Sequence, residues 1–206
     1  MAPLVPSSTP AFLASATSGR VPIGTMYQGT ALLIFVTLQR FAEFIWDRQN
    51  TARLMQAGAV EYGKAHYPYF AGTHAAWLAG LWILGYARSV DPVYLVPFAL
   101  LTIGRYWVMG TLGRRWTTRI IVLAGAPLIK TGPYRFVRHP NYLVVIGELV
   151  VVPLALGLPL YALLFFAIYA CAATVRIRAE NEALLKSAPP RRGPRLGNTA
   201  TEADGI

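Results

Sequence analysis

Residues 131–148 read TGPYRFVRHPNYLVVIGE, a charged loop that turns into an apolar run within twelve residues. Gly132-Pro133 sets a turn. Pro140 stands where a proline starts a helix, because the N–H it lacks would have no partner in a first turn. Arg138 and His139 therefore lie at the mouth of a membrane helix, where free N–H groups and the positive end of the helix dipole face water. Such a mouth suits a small anionic group held against the membrane.

The chain around this stretch reads as a membrane protein. Of 206 residues, 55% are hydrophobic and only 14% charged, where a soluble domain carries about a quarter charged residues. The net charge of +10 does not point to nucleic acid, because the basic residues stand beside apolar runs and are not interleaved with aromatics on a polar surface. The single cysteine, Cys171, lies inside an apolar run. An internal disulfide and a cysteine-based metal cluster are both excluded, and no metal site is expected.

Outward from the opening stretch, the sequence predicts an all-α integral membrane protein with about five transmembrane helices. The spans are 26–46, 69–86, 93–112, 141–156 and 159–175; the first, at about 1.5 Å per residue, crosses a core of about 30 Å. Gly157-Leu158-Pro159 breaks the last two into a C-terminal helical hairpin. Residues 176–186 (RIRAENEALLK) continue as a charged, cytosolic amphipathic helix. Residues 1–25 and 187–206 read as flexible tails, leaving 26–186 as a single membrane domain. Asp47–Pro68 reads as a polar connection, and Arg119–Leu123 and Pro127–Lys130 flank Gly125 as a small hairpin.

Charge asymmetry gives the orientation. Asp47–Pro68, Gly113–His139 and the C-terminal segment hold 3, 6 and 6 Lys or Arg, against 1, 1 and none in the N-terminal tail and the opposite links. The positive-inside rule puts the N-terminus outside and the C-terminus in the cytosol. Ionisable residues inside a bilayer are expensive, so their depth is informative. Arg40, Glu43, His74, Arg105, Glu148 and Arg176 all fall in the cytosolic part of their spans, at the level of the RHPNY block. Individually each has a plain structural reading: arginines snorkel, Arg40 and Glu43 neutralise one another at i and i+3, and His74 hydrogen-bonds between helices. Together they suggest a polar pocket with apolar walls.

The combination Gly132-Pro133-Tyr134, Arg138-His139-Pro140 and Tyr142, followed by a hairpin and then by Arg176 and Glu180, resembles the signature of the isoprenylcysteine carboxyl methyltransferase family of integral-membrane enzymes. The resemblance covers roughly residues 100–186. The stretches LQRFAEFIWDRQNTARLMQAGAVEYGKAHYP (38–68) and RYWVMGTLGRRWTTRI (105–120) look like a bacterial subgroup associated with O-methylation of alkylpyrone- or alkylresorcinol-type polyketides. One departure stands out: where many relatives carry two adjacent acids after the arginine, this chain has Glu180 and Asn181, with Glu182 next.

The resemblance implies S-adenosylmethionine as cofactor, bound without the Gly-rich loop of a Rossmann site. It further implies that Tyr134, Arg138, His139, Pro140, Tyr142 and Glu180 form the cofactor site. Arg138 and the helix mouth at Asn141 suit a carboxylate; Glu180, Tyr134 and Tyr142 suit an ammonium, hydroxyls and a sulfonium. Arg176 is expected to hold an anionic acceptor oxygen, with Glu180 as a cofactor contact or helper base. Taken without the upstream block, Arg176–Glu182 also reads as a surface helix laced with ion pairs. Arg105, Glu148 and His74 are the expected substrate contacts. The implied partners are a lipophilic small molecule, O-methylated at a hydroxyl or carboxylate, and membrane lipids; the implied location is a bacterial inner membrane. The reading from another class is a non-enzymatic membrane protein that binds or transports a lipophilic or haem-like ligand. Haem requires two facing histidines, which His66, His74 and His139 do not offer, and a transporter is expected to show repeated halves.

Overall fold

No proline interrupts residues 23–67, and the first helix uses that freedom. In a computed structural model that describes residues 23–187, α1 runs unbroken over Ile23–Gln56. Its 34 residues span about 50 Å at about 1.5 Å per residue, well beyond a bilayer core. The polar connection expected from Asp47 is therefore ten residues shorter than its sequence suggests. The helix stops at Gly58, whose φ of 82° takes the chain into the left-handed region.

A short strand β1 (Val60–Tyr62) and a 3₁₀ turn at Lys64–His66 lead into α2 (Tyr67–Gly85). The Asp91 side chain caps the 3₁₀ turn Pro92–Tyr94, which leads into α3 (Leu95–Leu112). The strand β2 (Ile120–Val122) then pairs antiparallel with β1, Glu61 opposite Ile121. This corrects the hairpin expected across Gly125. Gly125 N–H donates instead to the Ser187 carbonyl, and Arg115 Nη1 holds the Pro127 carbonyl at 2.7 Å, so residues 125–127 are tied elsewhere.

A 3₁₀ turn at Gly132–Arg135 precedes α4 (Pro140–Ala155) and α5 (Pro159–Ser187). The hairpin between α4 and α5 turns at Gly157, φ 67°. Helix α5 carries the expected amphipathic segment as its own unbroken continuation. Within α4, Pro153 has no N–H to give to the Leu149 carbonyl, and the Trp77 indole donates to that carbonyl at 3.2 Å. A cross-helix bond from α2 thus satisfies the acceptor that the proline orphans.

The segments Tyr27–Gln56, Pro92–Arg115 and Pro159–Ser187 are long and apolar enough to cross a membrane, and Pro140–Ala155 is a shorter apolar helix. The core lies where the helices meet, around Leu33, Trp77, Leu81, Leu149, Val152 and Tyr169. Large apolar side chains face outward in a belt, among them Phe41 on α1, Leu100 on α3 and Leu163 on α5. An apolar outer face with charges buried inside is the arrangement a lipid solvent selects. The protein is an all-α membrane protein.

Candidate functional site

Two constellations of polar side chains face one cavity of about 260 Å³ between the helices and the segment after α3. The first lies among α1, α3 and α4. Arg105 is only 4% exposed, and Glu43 takes a bidentate pair from its Nε and Nη2. Arg105 Nη1 donates to Glu148 Oε2 at 3.0 Å. Arg40 completes the square, reaching Glu148 Oε2 at 2.6 Å and Glu43 Oε2 at 3.0 Å. Two cations and two anions cancel one another, which is the condition for keeping charges buried. Arg40, Glu43 and Arg105 line the cavity, and Glu148 stands behind them.

The second constellation joins α4 to α5. Tyr142 donates to Glu180 Oε2 at 3.0 Å, and Arg176 Nε donates to the Tyr142 hydroxyl oxygen at 3.1 Å. Arg176 Nη2 donates to the Thr118 carbonyl, and its guanidinium stacks over the Phe70 ring at 4.5 Å. His139 closes the group, with Nε2 at 3.2 Å from Asn181 Oδ1 and Nδ1 at 3.7 Å from Glu180 Oε2. Tyr134 lines the cavity in the loop below, where burial and then the Glu180 charge hold its phenol above its ordinary range.

Four arginines line the cavity: Arg40, Arg105, Arg119 and Arg176. The first two pair with Glu43 and Glu148, and Arg119 lies 3.3 Å from Glu61. Arg176 is 7% exposed, and among the described residues no carboxylate pairs with it. Its partners are a hydroxyl and a carbonyl, neither of which cancels its charge.

The structure thus brings Tyr134, His139, Tyr142, Glu180, Arg176, Arg105 and His74 to one cavity. Pro140 is buried as the first residue of α4, where the sequence set it. Arg138 is exposed and is not in the cavity wall. It is separated from its neighbour because His139 has a non-helical backbone (φ −130°, ψ 61°) that sends the two side chains apart. The residue before a proline is kept out of the helical region, which produces this break.

Several wall residues were not singled out from the sequence. Tyr67 and Phe70 share the α2 face of His74 at helical spacing, a signal that reads equally as core. Thr118 acts through its backbone carbonyl, which no residue type announces. Asp47 and Asn50 imitate a loop in sequence, yet they fix the segment after α3: Asp47 Oδ1 accepts from Thr118 N–H at 2.6 Å, and Asn50 Nδ2 donates to the Trp116 carbonyl at 2.8 Å. Asn141 lines the cavity with its Oδ1 buried and without a hydrogen-bond partner.

Comparison with known proteins agrees with this architecture. The sequence model of the isoprenylcysteine carboxyl methyltransferase (ICMT) family matches residues 93–186, which hold α3, α4 and nearly all of α5. The uncharacterized protein YpbQ of Bacillus subtilis is 36% identical over 166 residues, covering 74% of this chain and 94% of its own length. An uncharacterized protein of Haemophilus influenzae is 26% identical over 153 residues, 70% of this chain and 88% of that protein. No solved structure matches the chain.

Proposed function

This chain belongs to the isoprenylcysteine carboxyl methyltransferase family of membrane methyltransferases, and on that premise we propose that it transfers a methyl group from S-adenosylmethionine to an oxygen of a lipophilic small molecule. The observation that carries this reading is Arg176. A buried guanidinium without a carboxylate, facing a cavity, is a standing demand for an anionic oxygen.

The residues present fit the cofactor. Its ammonium suits the Glu180 carboxylate and the unpartnered Asn141 Oδ1. Its carboxylate suits the N–H groups in the first turn of α4, with Arg119 on the same wall. Its sulfonium suits the ring face of Tyr142, since Arg176 and Arg119 already stand over the Phe70 and Tyr67 rings. His139, anchored by Asn181, borders the same space. When bound, the cofactor supplies an electrophilic methyl on a positively charged sulfur.

The chain's own part is alignment, exclusion of water and management of charge. Arg176 holds the acceptor oxygen and is itself held on three sides by Tyr142, the Thr118 carbonyl and Phe70. Glu180 receives the Tyr142 proton as a hydrogen bond and so keeps Tyr142 turned towards Arg176. The cavity, at about 260 Å³, is near the lower end for a small-molecule site, roughly 300 Å³. A long alkyl or isoprenoid tail therefore belongs outside it, along the apolar faces in contact with lipid. An alkylpyrone- or alkylresorcinol-like hydroxyl ranks first as acceptor, an isoprenoid carboxylate second. On this reading the basic loops face the cytosol, the N-terminus lies outside, and the membrane is a bacterial inner membrane; the uneven distribution of Lys and Arg supports that orientation.

The test is calorimetric titration of the detergent-purified protein with S-adenosylhomocysteine, for wild type and His139→Ala, with a thermal melt of each. Saturable binding that is lost in a variant with a normal melt supports the cofactor site. A well-folded wild type that binds nothing overturns the reading.

A further inference from the structure

The arginines of the cavity can hold an anionic oxygen, but they cannot make one from a neutral hydroxyl. His74 is placed to do so. Its Nδ1 lies 3.0 Å from the Phe70 carbonyl oxygen, one turn back on α2. A carbonyl only accepts, so Nδ1 carries the proton and the neutral ring keeps its lone pair on Nε2. The Phe70 ring at 4.9 Å and the Tyr169 ring at 5.4 Å fix the plane of the imidazole. The ring lines the same cavity as Arg105 and Arg176, and among the described residues Nε2 has no hydrogen-bond partner.

The second imidazole of the cavity, His139, is turned to Asn181 and Glu180. Glu43 and Glu148 are clamped by Arg40 and Arg105, and Glu180 accepts the Tyr142 hydroxyl. Around His74 stand Arg40 and Glu43 on α1 and Arg105 on α3, with Glu148 on α4 paired to both arginines, the Tyr169 ring on α5, and Tyr142, Arg176 and Glu180 across the same cavity. Arg40 and Arg105 cancel against Glu43 and Glu148. Arg176, with no carboxylate in direct contact and Glu180 beyond the Tyr142 hydroxyl, stabilises the oxyanion that proton removal creates.

We propose that His74 is the general base of this site, taking the proton from a neutral, weakly acidic hydroxyl of the acceptor onto Nε2. The proposal rests on the methyltransferase reading above. The acceptor O–H bond breaks and its proton becomes the second N–H of an imidazolium. An oxygen lone pair forms the new O–CH3 bond, while the methyl–sulfur bond of the sulfonium donor breaks and leaves its electron pair on sulfur as a thioether. One positive charge is lost at sulfur and one is gained at the imidazole, so the cavity's net charge is unchanged.

The test reads ionisation directly, without turnover. A nitrophenol bearing a dodecyl chain, whose phenolate absorbs in the visible, is titrated with pH in empty detergent micelles, with wild type and with His74→Gln. Binding of S-adenosylhomocysteine and a thermal melt are measured on both proteins. The expected result is that the probe bound to wild type ionises at least about one pH unit, tenfold, more readily than in micelles. In His74→Gln that gain is lost while S-adenosylhomocysteine binding stays within about threefold. A probe that wild type leaves no more ionised than micelles do overturns the proposal, and so does an unchanged gain in the variant. If His74→Gln fails to fold, His74→Asn is measured in its place against the same two criteria. Failure of S-adenosylhomocysteine to bind wild type would instead remove the methyltransferase reading, whatever the probe shows.

Discussion

Glu43 of α1 grips Arg105 of α3 with both carboxylate oxygens, joining two helices through side chains that are 5% and 4% exposed. Removing one partner leaves the other charged and unpaired. Glu43→Ala is expected to destabilise the fold by about 3–5 kcal/mol. The double variant Glu43→Leu with Arg105→Met removes both charges and leaves Arg40 with Glu148, so it should recover most of that loss. Thermal melts of the single and double variants in one detergent decide this.

Arg176 uses Nε, Nη2 and its planar face at once. Lysine keeps the charge but offers neither the fork nor the plane. Arg176→Lys should lower turnover at least tenfold while S-adenosylhomocysteine affinity, measured by calorimetry, stays within about threefold. A loss of affinity equal to the loss of turnover would move Arg176 from the acceptor to the cofactor.

Arg138 and Tyr142 separate the loop's role in topology from its role in binding. Arg138 is exposed and outside the cavity wall, so Arg138→Ala should leave S-adenosylhomocysteine affinity within about threefold. Tyr142→Phe removes the hydroxyl that links Arg176 to Glu180. Hydrogen bonds to charged groups contribute about 1.5–3 kcal/mol, so Tyr142→Phe should lower the melting temperature, and it should lower turnover by releasing Arg176.

Gly29 marks the closest approach of α1 to the end of α2. A Cβ there would sit 2.5 Å from the Gly85 carbonyl oxygen and 2.6 Å from that of Arg88. Both obstacles are backbone, so no rotamer relieves them. Gly29→Ala should destabilise by about 1–3 kcal/mol, seen as a lower melting temperature.

Tyr134 gives a pH signature outside the membrane-spanning segments. Its phenol is held above its ordinary range, first by burial and then by Glu180. The folded state therefore keeps a proton that the unfolded state loses above about pH 10. The stability this contributes is present in full below pH 10 and declines as pH rises towards the folded value. Tyr134→Phe should flatten the alkaline part of a plot of melting temperature against pH, leaving the neutral part in place.

The features legible in the sequence are those that repeat or punctuate. Apolar runs of membrane length, the start of α4 at Pro140 and the Gly157 turn are all local signals, and the structure carries them. The depth of Arg40, Glu43, Arg105 and Glu148 was readable because charges inside apolar runs are conspicuous. Pairings across long separations were not readable. Asp47 and Asn50 are polar and follow a charged stretch, so they imitate a loop, and their partners are backbone groups near Thr118. The ladder between β1 and β2 joins segments about sixty residues apart, each only three residues long, too short for any period to show. Arg138 and His139 are neighbours in sequence but part company through one backbone conformation imposed by the proline that follows.

The four-charge square also constrains how the protein is made. Helix α1 carries both Arg40 and Glu43, which balance one another. Helix α3 enters the membrane with Arg105 and no acid of its own, and α4 brings Glu148 later with no base. Each is a poor solute for lipid until the other arrives. Insertion of α3 is thereby tied to α1, already waiting with Glu43, and to α4, still emerging. A nascent chain stopped before Glu148 would hold one positive charge in excess within the membrane. Biogenesis of this bundle is accordingly expected to be cooperative in time, with the order of the helices along the chain acting as an assembly schedule.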